Sequence, residues 1–277
     1  MNAQGVATEG RYRRPILASF HAAFSFGGLA GAATGGLAAG TGTPPGLHLA
    51  AVGTLIVAVA VVILRRLWPT PVGGVSAAPG PIFVRPSGRL TLVSAIAFCG
   101  LVGEGAVADW SAIYLGDDLS TGAGFAAAGY AAFSLTMACG RLVGDRLTAH
   151  WGPVAVARRG GVLAAGGLGL ALVVGHPVAA VAGFAAVGAG LANVIPVAFS
   201  AAGRVPGVSP ATGIAAVSTA GYAGFLLGPP AIGLIAELVG LPLALGLVVL
   251  LAATVARLAG GLWAEEDGGH DVSEAAE

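Results

Sequence analysis

The sequence predicts an all-α integral membrane protein that crosses the bilayer eight times. Three observations lead there. Of 277 residues, 56% are hydrophobic and only 9% are charged, against about 25% charged in a soluble domain, and mean hydropathy is +0.87. The apolar residues form continuous runs suited to about 30 Å of hydrocarbon, which needs about 20 helical residues. All 13 basic residues are arginines, and the connections 41–46, 116–122, 176–177 and 239–242 carry none of them. Cationic loops resist translocation, so the arginine-bearing connections and both termini are expected on the cytoplasmic face.

Arg11, Arg13 and Arg14 precede the first run, Pro15–Gly40. At this length it is no signal peptide, whose apolar region spans about 7–15 residues. The second run, Leu47–Leu64, ends at Arg65 and Arg66. Five prolines (Pro69, Pro71, Pro79, Pro81 and Pro86) then mark 65–89 as an unstructured linker. The third and fourth runs are Leu90–Leu115 and Ala123–Val143. The fifth, Gly160–Gly175, is short, so its helix is expected to begin near Val154, with Arg158 and Arg159 snorkelling to the headgroups. Residues 160–203 contain no charge, and as one helix they would measure about 66 Å. The chain is therefore expected to turn at His176-Pro177 into the sixth run, Val178–Ala202. Ala211–Leu238 and Leu243–Trp263 complete the set, and an acidic tail from Glu265 reads as solvated and disordered.

Continuous rather than alternating apolar runs exclude a transmembrane barrel. Trp110 and Tyr114 at one boundary, and Trp68, Trp151 and Trp263 at the other, suit interfacial belts. Cys99 and Cys139 fall inside apolar runs and read as small packing residues. No GxxxxGK[ST], CxxC, HExxH or GxSxG pattern occurs, so no cofactor, metal or enzymatic chemistry is expected. Nor do basic residues interleave with aromatics as nucleic-acid binding would need.

Chemistry is expected instead from isolated polar groups within the runs. Glu104 lies near the midpoint of the third run and Asp109 about 7 Å further out. Ionisable groups at such depth face a watery cavity or a partner, so each is a candidate substrate or proton site, with an interhelix contact as the alternative. Five residues turn them about 140° apart, while Ser111 shares the face of Glu104. His21 could relay protons or pack. Asn193 offers an amide to solute hydroxyls or to a neighbouring helix. Tyr130, Ser134 and Tyr222 are further cavity candidates. Gly28, Gly31 and Gly35 in the first run, and Gly221, Gly224 and Gly228 in the seventh, repeat one spacing and suit close helix packing. Two helices so related and parallel would fit a transporter built from repeated six-helix halves.

The segment Gly140-Arg141-Leu142-Val143-Gly144-Asp145-Arg146, followed by Gly152 and Arg158-Arg159, resembles the signature loop of the major facilitator superfamily. Gly224, Gly228-Pro229-Pro230 and Gly233 are similar to that family's glycine-proline helix. The runs 103–111 and 190–196 resemble a bacterial sugar- and drug-permease-like branch. The resemblance extends from Met1 to Trp263 and implies that the eight runs match helices five to twelve of a twelve-helix fold. Residues 1–64 would then be two helices remaining from an N-terminal half, with Met1–Gly5 just after a fourth helix. Residues 65–89 would be the cytoplasmic linker, 90–263 the C-terminal six-helix half, and 264–277 the acidic tail. One departure is Arg141, where the family usually places glycine.

The resemblance implies a secondary transporter in a bacterial cytoplasmic membrane. It would move a small solute by alternating access, with protons as a candidate coupling ion and the lipid bilayer as surroundings. Gly140, Arg141, Gly144, Asp145 and Arg146 would form a cytoplasmic gate motif, in which Asp145 and Arg146, next to Arg141, Arg158 and Arg159, act as a charge latch biasing one of two states; the alternative is topological anchoring by arginine. The alternative reading is a truncated, inactive or accessory membrane fragment of a longer transporter.

Overall fold

The computed structural model describes residues 2–66 and 87–263. Most of the expected linker (67–86) and the acidic tail (from 264) lie outside the described residues. Among the described residues ten α-helices follow one another: α1 (Asn2–Tyr12), α2 (Leu17–Gly40), α3 (Pro45–Arg66), α4 (Gly88–Ile113), α5 (Ala123–Trp151), α6 (Pro153–Val174), α7 (Pro177–Leu191), α8 (Val194–Ala202), α9 (Pro210–Val239) and α10 (Leu241–Leu258). A π-helical turn, Tyr114–Asp118, extends α4, and a 3-10 turn, Ala259–Trp263, extends α10. Among the described residues there is no strand.

Among the described residues seven helical segments are long and apolar enough to cross a membrane: Pro45–Arg65, Gly88–Asp118, Phe125–Trp151, Pro153–Val174, Pro177–Ala202, Pro210–Val239 and Leu241–Leu262. The first expected crossing is present as helix α2 but is not among these seven. The packing of its Gly28, Gly31 and Gly35 lies outside what is described.

The chain divides into two units, Met1–Ala23 with Pro86–Glu277, and Phe24–Arg85. In the smaller unit, α3 turns Leu55, Ile56 and Leu64 outward, as a lipid-facing helix does when its apolar residues encircle it. The larger unit is a bundle with α4 and the α7–α8 segment at its centre. Val93, Ile96, Ala97, Ala106 and Val107 of α4 are fully enclosed, and all nine residues of α8 are buried.

Backbone chemistry explains the turns. Gly175 ends α6 in the left-handed conformation (φ 60°), its N–H donating to Ala171 O. Pro177 then opens α7, with Val178 N–H donating to His176 Nδ1 at 3.2 Å. This is the turn expected at His176-Pro177, and α6 starts at Pro153, beside the expected Val154. The fourth crossing differs from expectation. No proline occurs between Val143 and Trp151, so α5 runs through Gly144 to Trp151 and turns at Gly152 (φ 77°). Residues 140–146 are therefore helical, not a loop.

Proline interrupts the sixth crossing from within. Pro196 has no N–H to donate to the carbonyl of Ala192, four residues earlier, and the helix breaks at Ala192-Asn193. Close packing holds the bundle, because lipid removes the hydrophobic drive between helices. A Cβ at Gly221, Gly224 or Gly228 would stand 2.8, 2.7 or 2.9 Å from Leu101, the Phe98 carbonyl or Val102 of α4. Phe225 O is left without its helical donor by Pro229, and Gly105 of α4 lies against it.

Candidate functional site

Two polar clusters stand in the larger unit. The interior one joins α4 to α5. Arg141, buried at 6% exposure, donates through Nη2 to Glu104 Oε1 and Oε2 at 3.2 and 3.3 Å. Its Nε donates to Ala192 O at 3.3 Å, the carbonyl that Pro196 leaves free. Asn193 donates through Nδ2 to Gly140 O at 3.0 Å, and Gly144 leaves room for the Asn193 side chain. The break between α7 and α8 thus grips the α5 turn that carries Arg141. Taking both charges out of water is costly, and such a pair persists only when hydrogen bonds satisfy it.

Arg141 was expected in a cytoplasmic loop motif. The uninterrupted helix places it inside the bundle, facing Glu104 instead. Arg146, one residue past Asp145, is exposed.

The second cluster surrounds the start of α2. A helix N-terminus leaves four N–H groups without partners and carries partial positive charge. Two carboxylates from separate elements take them. Glu9 of α1, 2% exposed, accepts through Oε2 from Ile16 N–H at 3.2 Å and Leu17 N–H at 3.4 Å. Asp145 of α5 accepts through Oδ1 from Ala18 N–H and through Oδ2 from Ser19 N–H, both at 3.0 Å; the Ser19 hydroxyl also donates to it. Glu9 Oε1 further accepts from Ser200 Oγ at 2.6 Å and Arg204 Nη2 at 3.1 Å. Chain segments nearly 200 residues apart are tied together here.

The other candidates scatter. Asp109, Tyr130 and Tyr222 are exposed, and Ser134 is half-buried. His21 is buried and stacks on Phe199, with ring centroids 6.1 Å apart and planes 14° apart. Trp110, expected in an interfacial belt, donates its indole N–H to Pro229 O at 3.0 Å. Sequence reasoning missed Glu9, Ser200 and Arg204. The available signal was slight: Glu9 is the lone acid before the first run, and Arg204 the lone cation between the sixth and seventh.

Known bacterial proteins resemble the chain over most of its length. It is 36% identical over 261 residues to an uncharacterised MFS-type transporter of Yersinia pestis, covering 94% of this chain and 67% of that protein. The chain belongs to the MFS-type (major facilitator superfamily) transporters. An uncharacterised transporter of Sinorhizobium fredii is 38% identical over 261 residues, covering 94% and 68% of the two chains. The membrane protein MosC of Rhizobium meliloti is 34% identical over 258 residues, covering 92% and 62%. This MFS-type chain therefore spans about two thirds of the length of these bacterial relatives. No family model and no solved structure matches it. With seven helices among the described residues long and apolar enough to cross a membrane, this MFS-type transporter is a multi-pass membrane protein.

Proposed function

We propose that the chain serves secondary transport of a small solute by alternating access, with Glu104 and Arg141 at the polar centre. The observation that carries this reading is the buried Glu104–Arg141 pair on two membrane-spanning helices, with Arg141 also bound to the α7–α8 break. A mid-membrane ion pair marks a solute or proton path. A proton delivered to the Glu104 carboxylate, or a cationic solute group approaching it, removes the attraction holding Nη2. Arg141 is then available to an anionic or polar solute group. Asp109, His21, Asn193, Tyr130 and Ser134 are secondary members of this reading.

The Asp145 and Glu9 contacts with the start of α2 act as the latch of one state. Breaking them frees α2 from α5, so their strength biases the two-state equilibrium. In this reading α2 is the eighth crossing, the arginine-bearing end faces the cytoplasm of a bacterial inner membrane, and both termini lie inside.

The test is uptake into proteoliposomes under an imposed pH gradient. The substrate is first found as the metabolite that raises the melting temperature of the purified chain, since a ligand of the folded state stabilises it by mass action. Glu104→Gln is expected to abolish gradient-driven uptake while keeping membrane insertion. Unchanged gradient-driven uptake by that variant removes Glu104 from the mechanism.

A further inference from the structure

Separate from the Glu104–Arg141 centre, a cavity of about 320 Å³ opens at the Asp145 end of the bundle, walled by Glu9, Arg13, Arg14, Asp145, Ser200 and Arg204 among others. A neighbouring cavity of about 330 Å³ shares Arg14, Pro15 and Asp145 with it and adds Arg146. We infer that the first cavity binds a phosphate group at the membrane surface, supplied by the headgroup of an anionic phospholipid.

Charge comes first. Three arginines line the cavity against two carboxylates, and both carboxylates are already engaged. Glu9 is taken by Ile16 and Leu17 N–H, Ser200 and Arg204. Asp145 is taken by Ala18 and Ser19 N–H. The lining therefore carries one positive charge in excess, with Arg13 and Arg14 beside carboxylates that already accept hydrogen bonds. Guanidinium forks match the spacing of phosphate oxygens.

Backbone geometry supports this. Arg13 holds φ at 52°, a left-handed conformation uncommon outside glycine and a frequent mark of functional positions. It sits where α1 hands over to α2, and both Arg13 and Arg14 line the cavity. The Tyr12 ring lies 5.5 Å from the Arg14 guanidinium carbon and supports it.

Depth completes the argument. Thr148, Ala149 and Pro153 form part of the wall, at the junction where one membrane-length segment ends at Trp151 and the next begins at Pro153. That is headgroup level. Arg159 stacks over Trp151 there, 4.6 Å from the ring centroid, as suits an interfacial aromatic. Basic pockets between helices at this depth recognise anionic headgroups.

The test measures lipid retention and melting temperature of the purified chain in nanodiscs of phosphatidylcholine, with and without phosphatidylglycerol, and separately with inorganic phosphate. Phosphatidylglycerol is expected to raise the melting temperature and to be retained. Arg13→Gln/Arg14→Gln should weaken this binding about thirtyfold, at roughly fivefold per arginine. Arg158→Gln/Arg257→Gln, equal in charge but outside the cavity, should leave it intact. Arg13→Lys/Arg14→Lys preserves the charge but not the fork, and should keep more of the binding than the glutamine pair, separating binding from folding. A response to inorganic phosphate alone keeps the phosphate site and assigns its ligand to the aqueous phase. No response to either, or equal loss in the Arg158/Arg257 control, overturns the proposal.

Discussion

Arg141 and Asp145 stand four residues apart on α5, on one face of the helix, and each serves a different neighbour. Arg141 holds Glu104 of α4, while Asp145 holds the first N–H groups of α2. One turn of helix therefore links the interior ion pair to the terminus of another helix.

The ion pair gives the first prediction. Removing one partner of a buried pair strands the other charge, at a cost of about 3–5 kcal/mol. Arg141→Gln is expected to destabilise the purified chain by about 3 kcal/mol in reversible unfolding. Adding Glu104→Gln should recover part of the loss, with a coupling of about 1 kcal/mol or more. Simple additivity of the two changes would show that the pair contributes no specific interaction.

The start of α2 gives the second. Glu9 is almost fully enclosed, whereas the Arg204 side chain is 49% exposed. A pair with one partner in solvent contributes less than about 1 kcal/mol, so Arg204→Ala should be nearly silent in thermal unfolding. Glu9→Ala leaves two backbone N–H groups and the Ser200 hydroxyl without an acceptor, and each such group costs about 1–3 kcal/mol. The expected order is a large loss for Glu9→Ala and a small one for Arg204→Ala; the reverse order would assign the cluster to the ion pair and not to capping.

Glycine positions supply the third. A Cβ at Gly144 would overlap the Asn193 amide oxygen, with Ala18 Cβ 2.7 Å away. Gly144→Ala must push α8 or the start of α2 away from α5, at about 1–3 kcal/mol. Around Gly166 of α6 nothing lies within 4 Å. Gly166→Ala should stabilise by about 0.5–1 kcal/mol through helix propensity alone. Melting temperatures of the two variants should move in opposite directions.

Several features of the fold were readable because they depend on neighbours in sequence. Hydropathy marked the long helices, and Gly175-His176-Pro177 combines a left-handed stop with a proline start. Pro153 similarly set the beginning of α6. The end of α5 was misread because a motif that resembles a loop contains no proline, and its glycines sit inside a helix that runs on to Trp151. The site was less legible. An arginine near a helix end reads as a topological anchor, and only the crossing of α4 and α5 shows that Arg141 meets Glu104, 37 residues away. Glu9 reaches Ser200 across 191 residues, a distance no local pattern spans. Pro196 did carry a local signal, since a proline frees the carbonyl four residues earlier, but the sequence does not name the donor that takes it.

The last prediction concerns α2 and the direction of crossing. If α2 spans the bilayer, Thr8 before it and Thr43 after it lie on opposite faces. Arginine placement assigns Thr8 to the cytoplasm and Thr43 to the outside. Cys99 and Cys139 are first replaced by alanine, and single cysteines are then placed at Thr8, Thr43, Ser120 and Ser209. An impermeant maleimide added to intact cells should label Thr43→Cys and Ser120→Cys, while Thr8→Cys and Ser209→Cys react only after the membrane is opened. Labelling of Thr8→Cys and Thr43→Cys together in intact cells would make α2 a helix that enters without crossing. The Asp145 contact with its N-terminus could not then be a cytoplasmic latch, because that end of α2 and the α5–α6 turn would face the outside.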